Sequence, residues 1–166
     1  MPTGYISIGS NIDKEKNILS ALRSLSIFFG GLVVSSTYET EAVGFTGDTF
    51  HNLVVGFDSD LDVKTIAKQL RQIELDHGRT RECQKFSSRT LDLDLILYGD
   101  LVITDGRLRI PRDEIERYAF VLEPLAEIAG DLRHPVSKIS YRELWERFAR
   151  DDLKQKRIKP GWSSIE

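Results

Sequence analysis

The stretch RTLDLDLILYGD, residues 89–100, decides how this chain folds. Leu91, Leu93, Leu95 and Leu97 recur at every second position, with Asp92, Asp94, Ile96 and Tyr98 between them. Period two marks a strand whose successive side chains point to opposite faces. The leucines predict a buried side. Aspartate is a poor strand former, yet two stand on the other face, roughly 6.6 Å apart at the rise of a strand. Carboxylates that close repel one another unless a cation lies between them. The stretch therefore admits two readings, a solvent-exposed strand face and a cation site.

The chain has 166 residues, 40% of them apolar, enough for one core and about the size of one domain. A single domain over residues 1–150 and a polar, mobile tail over 151–166 are expected. A net charge of −3 argues against a dedicated nucleic-acid binder, which is usually basic. The single cysteine, Cys83, allows no intramolecular disulfide, which fits a reducing compartment. The opening MPTGYISIGSN lacks the charged and apolar regions of a signal peptide, and no apolar run is long enough to span a membrane. A soluble cytoplasmic protein is the expectation. His51, His77 and His134 are scattered and make no zinc pattern.

Outward from the strand, the chain alternates strand and helix signals. Tyr5 to Ile8 read as a first strand, turned by Gly9, Ser10 and Asn11. A helix follows, with Asp13 as its cap, Ile18, Leu22, Leu25 and Phe29 as its apolar stripe, and Gly30 and Gly31 as its stop. LVVSSTYETEAV is rich in β-branched residues and reads as a second strand, and FHNLVVGFD as a third. Val63, Ile66, Leu70 and Ile73 define a second helix, capped by Asp62 and stopped near Gly78. RTRECQKFSS has no periodicity and reads as a long loop, a type that often carries function. After the fourth strand, DLVITDGRLRIP reads as a hairpin turning at Asp105-Gly106, YAFVLEPLAEIAGDL as a short buried helix, and SYRELWERFARDD as a helix capped by Ser140 and Glu143. The order β-α-β-β-α-β predicts an α+β, ferredoxin-like fold. In it, a four-stranded antiparallel sheet carries two helices on one face and leaves the other open, with further helices at the carboxyl terminus.

The basic loop sharpens the reading of the aspartates. Arg79, Arg81, Lys85 and Arg89 lie just ahead of Asp92 and Asp94, with Glu82 the only acid among them. Clustered cations beside paired carboxylates suit a metal–phosphate complex. Magnesium takes oxygen ligands, typically one or two carboxylates together with substrate phosphates, and arginine forks clamp phosphate oxygens. Neither P-loop spacing nor a GxGxxG turn occurs.

SSRTLDLDLILYGD resembles the signature of the 6-hydroxymethyl-7,8-dihydropterin pyrophosphokinase family of folate biosynthesis. YISIGSN, SSTYETEAVG, FHNLVV, IELDHGRTR and AFVLEPLAEIAGDLRHP resemble the family's other blocks, in order, from about Tyr5 to Pro135. The resemblance implies transfer of the β,γ-diphosphoryl group of ATP to the hydroxymethyl oxygen of a reduced pterin, leaving AMP. It implies two magnesium ions on Asp92 and Asp94, charge stabilisation by Arg79 and Arg89, and a nucleotide site that includes Glu74 and Arg81. It also implies a pterin slot in which Phe50 and Phe120 stack, Asn52 pairs with the pterin edge, and the loop of Thr40 and Val43 reads the rest through its backbone. By their own chemistry, Phe50 and Phe120 could equally be core aromatics and Asn52 a backbone partner. ATP and the pterin are the expected partners, without nucleic acid or membrane, and a monomer is expected.

The chain departs from the family pattern on the ATP side. FSSRT stands for a WGPRT-like run, with Phe86 for tryptophan and Ser88 for proline. Arg112 replaces a histidine that contacts ATP phosphates in the family, and Tyr118 takes the place of an arginine, with Arg117 one residue away. A divergent paralogue that binds pterin with weak or altered activity is one alternative. A ferredoxin-like RNA-binding module is another, although its sheet would want exposed aromatics where this one has aspartates.

Overall fold

The alternating stretch is an edge strand in the computed structural model, which describes residues 1–41, 49–78, 91–148 and 155–159. Among these residues the chain runs β1 (Thr3–Ser10), α1 (Lys14–Phe29), β2 (Val33–Val34), β3 (Thr37–Thr40), β4 (Phe50–Asp58), α2 (Val63–Asp76) and β5 (Asp92–Tyr98). It continues through β6 (Ile103–Asp105), β7 (Leu108–Ile110), α3 (Glu114–Arg117), α4 (Ala119–Ala129), α5 (Tyr141–Arg147) and β8 (Lys156–Ile158). The main sheet has the order β5-β1-β4-β3-β8, antiparallel throughout, with β2 also paired to β4. Its core is the expected ferredoxin-like βαββαβ arrangement.

The leucines of β5 face α1 and α2. Leu91, Leu93 and Leu95 pack with Ile6, Ile8, Leu53 and Val55 of the sheet, Ile18 and Leu25 of α1, and Ile66, Leu70 and Ile73 of α2. Burying one such side chain is worth about 1.5–3 kcal/mol. Asp62 caps α2 by accepting from the Thr65 amide at 2.9 Å, and Ser140 caps α5 through the Glu143 amide at 3.2 Å. Asp13, expected to cap α1, occupies that position in a left-handed conformation and makes no side-chain cap bond.

The structure corrects four further expectations. The alternation of β5 breaks at Ile96: Tyr5 pairs with Leu97 and Ile6 with Leu95, so Ile96 is an extra, bulged residue. Leu97 thereby joins Ile96 on the face away from the leucines, and Tyr98 turns onto the leucine face. The expected second strand is two, because the pairing with β4 slips by one residue between Val34↔Val55 and Tyr38↔Asn52. Ser35 sits at the slip, where its hydroxyl takes the Val54 amide at 2.9 Å. The second sheet face is not open. Val54, Ile96 and Leu97 are buried there beneath Val121, Leu122 and Leu125 of α4 and Tyr141 of α5, because α4 is apolar enough to cover it. Finally, the segment expected to be a mobile tail supplies β8 at the sheet edge. Docking of that tail through Trp162, the alternative the sequence offers to a mobile tail, falls outside the described residues.

A covered second face predicts that Leu122→Ala in α4 costs about 2–5 kcal/mol in urea denaturation, as a core truncation does. Val33→Ala, on an exposed residue, should stay within about 0.5 kcal/mol. Equal small losses would mean that α4 does not seal the sheet.

Candidate active site

β5 is the outer strand beside β1, and among the described residues no strand pairs with its far edge. Glu74, from the last turn of α2, fills part of that edge: its Oε2 accepts from the Leu93 amide at 2.8 Å. Leu93 lies between Asp92 and Asp94, so a buried carboxylate on α2 fixes the backbone from which both aspartates project. Both are half-buried, on the face away from the leucines. In register, Asp94 stands beside Ser7 and Asp92 beside Gly9.

Between α2, β5 and the β6–β7 hairpin lies a cleft of about 250 Å³. Ala67, Leu70, Leu93, Leu95 and Leu108 give it apolar walls. Its charged lining is Arg71, Arg107, Arg109 and Arg112, set against Glu74 and Asp94. Apolar walls ringed by four guanidinium groups suit a flat base joined to a polyanion. The hairpin is hung on β5 by the Arg112 amide, which donates to the Ile96 carbonyl at 3.1 Å. The Arg112 Nε donates to Glu114 Oε2 at 2.7 Å. Burial alone would lower the Arg112 pKa, but the Glu114 bond and the negative charges of Asp94, Glu114 and Asp113 outweigh it and push it up. Glu114 is raised, chiefly by its own burial and a hydrogen bond with Asp113.

One row of the sheet links this edge to its interior. Gly9 pairs with Asp92 on one side and Asn52 on the other, and Asn52 pairs in turn with Tyr38. Directly paired residues point to the same face, so Asp92 and Asn52 face the same way about two strand spacings apart, roughly 10 Å. Asn52 is buried and its Nδ2 donates to Thr40 Oγ1 at 2.8 Å. Any Cβ at Gly9 would lie 2.9 Å from Asn52 Oδ1, so glycine is required for the amide to lean over β1. Phe50 is half-buried next to Thr40, its partner in register. Phe120, in the first turn of α4, packs on the cluster containing Val54, two residues along from Asn52.

The structure therefore groups the expected residues in two sets. Glu74, Asp94 and Arg112 meet at the cleft, while Thr40, Phe50 and Asn52 lie on adjacent strands, with Phe120 over the same sheet face. Asp92 lies on the row between the sets. Arg117 and Tyr118, expected on the ATP side, are not on the cleft lining described. Tyr118 stacks on Phe120 with ring centres 5.0 Å apart, and Arg117 covers Tyr118 and bonds Asp113 at 3.2 Å. Val43, Arg79, Arg81 and Arg89 lie outside the described residues. Arg71, Arg107 and Arg109 are not among the site residues expected from the sequence. The spacing of Arg71 and Glu74 on one helical face was a usable signal for the first; the hairpin pair is gathered only by the fold.

The donor set bears on the metal. Among the described residues, no group of three or more His, Cys, Asp or Glu side chains could hold an ion alone. Two hard carboxylates beside a polyanion cleft fit magnesium, which completes its shell with water and phosphate. The helices covering the second face leave no open sheet of the kind an RNA-recognition module uses.

Comparison with known proteins decides the family. The family model described as 7,8-dihydro-6-hydroxymethylpterin-pyrophosphokinase (HPPK) matches residues 5–130. This chain belongs to the HPPK family. It is 35% identical over 164 residues to the 2-amino-4-hydroxy-6-hydroxymethyldihydropteridine pyrophosphokinase of Haemophilus influenzae, covering 96% of this chain and 100% of that one. It is also 35% identical over 155 residues to the folic acid synthesis protein fol1 of Pneumocystis carinii, but spans only 20% of that protein's length. The solved HPPK-DHPS of Plasmodium falciparum shares the fold, with a TM-score of 0.74 at 13% identity over 95% of this chain and 47% of that one. No helix among the described residues is long and apolar enough to cross a membrane.

Removing the pin behind the aspartates has a measurable cost. Glu74→Ala leaves the Leu93 amide buried without its acceptor and should lower stability by about 1–3 kcal/mol in urea denaturation. Glu74→Gln, which keeps an acceptor oxygen, should lose less. Equal losses would show that charge, not the hydrogen bond, holds β5.

Proposed function

We propose that this protein is a 2-amino-4-hydroxy-6-hydroxymethyldihydropteridine pyrophosphokinase. It transfers the β,γ-diphosphoryl group of ATP to the hydroxymethyl oxygen of 6-hydroxymethyl-7,8-dihydropterin, releasing AMP, as a step of folate biosynthesis. The observation that carries the reading is the row Asp92–Gly9–Asn52, which joins a metal-binding carboxylate to a pterin-reading amide across one glycine. Family membership and full-length similarity to the Haemophilus influenzae enzyme support it.

In this reading the cleft takes ATP, its base against Leu70 and Leu108 and its phosphates toward Arg71, Arg107, Arg109 and Arg112. Asp92 and Asp94 would hold two magnesium ions, which would supply positive charge to offset that of the triphosphate. Glu74 keeps the two carboxylates in place by fixing the Leu93 amide. Asn52 pairs with the edge of the pterin, Phe50 and Phe120 stack on its faces, and Thr40 orients the Asn52 amide. The hydroxymethyl oxygen then attacks the β-phosphorus. A new O–P bond forms, the bond from that phosphorus to the α,β-bridging oxygen breaks, the electron pair leaves with AMP, and the hydroxyl proton passes to water. Arg79 and Arg89 stabilise the charge that builds on the transferring group, and Arg81 and the residue 43 backbone complete the nucleotide and pterin sites. Arg112 keeps two Nη groups for phosphate while Nε is held by Glu114. Arg117 and Tyr118 support the slot by backing Phe120. The enzyme acts as a cytoplasmic monomer.

The test is AMP release from ATP, magnesium and the dihydropterin. Wild-type protein should release AMP in step with pterin diphosphate, and chelation of magnesium should stop it reversibly. Asp92→Ala and Asp94→Ala should each cut the rate by at least about 10²-fold while keeping the wild-type circular dichroism. A well-folded aspartate variant at the wild-type rate would remove these residues from the reaction.

A further inference from the structure

The row that links Asp92 to Asn52 does not stop at β3. β8 pairs Ile158 with Thr37, Arg157 with Tyr38 and Lys156 with Glu39. Arg157, Tyr38, Asn52, Gly9 and Asp92 therefore stand side by side across the whole sheet. The basic tail segment, which the reaction leaves without a role, is bonded to both walls of the slot.

On the β3 side, Arg157 Nη2 donates to the Tyr38 hydroxyl at 3.0 Å, and its guanidinium carbon lies 5.6 Å from the centre of that ring. Tyr38 is 1% exposed, and its hydroxyl donates to Glu127 Oε1 at 2.8 Å. Burial and the Glu127 carboxylate push the Tyr38 pKa up, so the hydroxyl remains a donor. Glu127, on α4, also accepts from the amide and hydroxyl of Ser36 at 2.9 and 3.0 Å, and its Oε1 lies 3.6 Å from Arg157. On the α4 side, Gln155 Nε2 donates to the Ala119 carbonyl at 3.2 Å and to Glu123 Oε1 at 2.8 Å. Ala119 immediately precedes Phe120.

We propose that Gln155 and Arg157 are positioning residues for the pterin: the carboxyl-terminal strand clamps α4 to β3 and so sets the spacing between Phe120 and the Phe50–Asn52 floor. This rests on the pterin reading of the slot. Surface pairs such as Arg157–Glu127 add little to global stability, and the Arg157 side chain is 58% exposed. The clamp is therefore in the wrong place to be a core element and in the right place to hold two elements in register.

The experiment is steady-state kinetics of the full chain carrying Gln155→Ala and Arg157→Ala together, beside Arg157→Lys and Asn52→Ala. The double variant should raise the KM for the dihydropterin about 5- to 10-fold, the scale expected when a binding wall shifts by a fraction of an ångström. Its KM for ATP should stay within about twofold and its melting temperature within about 2 °C of wild type. Arg157→Lys, which keeps the charge near Glu127 but loses the planar fork on Tyr38, should fall between the two. A pterin KM unchanged in the double variant but raised in Asn52→Ala would overturn the clamp and leave the slot intact. Pterin and ATP KM values rising together with a fall in melting temperature would overturn it as well, showing general loosening. A pterin KM unchanged in Asn52→Ala would bring down the slot reading and the clamp with it.

Discussion

The pairing of β1 with β4 on one side and β5 on the other fixes Gly9 between Asn52 and Asp92, and the proposed chemistry hangs on that register. A strand shows alternate residues to alternate faces, so a slip of one residue in either ladder would swing a carboxylate or the amide into the α1–α2 core. The leucines oppose such a slip. Moving Leu91, Leu93 and Leu95 out of the core would expose three buried side chains and bury two charges. The same alternation that builds the core thus aims the site.

The two faces and the edge of the sheet divide the work. The α1–α2 face is apolar and supplies stability. The α4–α5 face is covered at its centre, by Leu122 and Leu125, but half-buried aromatics remain near its rim at Phe50 and Phe120. Among the described residues, the outer edge of β5 is taken by Glu74 and by the hairpin that carries Arg109, which together line a charged cleft. In the proposed function, a polyanion site at the edge and a flat slot on the face let two substrates meet across one row of residues.

Much of this was legible in the sequence. Local signals determine α1, α2, β4 and the caps at Asp62 and Ser140, and each is where its periodicity put it. The paired aspartates stood out because they contradict the propensity of the strand that holds them. What escaped depends on non-local pairing. The bulge at Ile96 arises from how β5 meets β1, and period two by itself assumes an unbroken ladder. The break at Ser35 needs Val54 as its partner. β8 is a short polar segment with no strand signal of its own; the open edge of β3 makes it a strand. Arg71, Arg107 and Arg109 come from a helix and a hairpin and become neighbours only when α2 and β7 flank β5.

The most direct measurement is a crystal structure with magnesium, a non-hydrolysable ATP analogue and the dihydropterin bound together. The proposed function requires magnesium about 2.0–2.1 Å from oxygens of both Asp92 and Asp94, the triphosphate in the arginine-lined cleft, and the pterin edge on Asn52 between Phe50 and Phe120. A nucleotide whose metal avoids both aspartates, or a pterin bound away from Asn52, would contradict it.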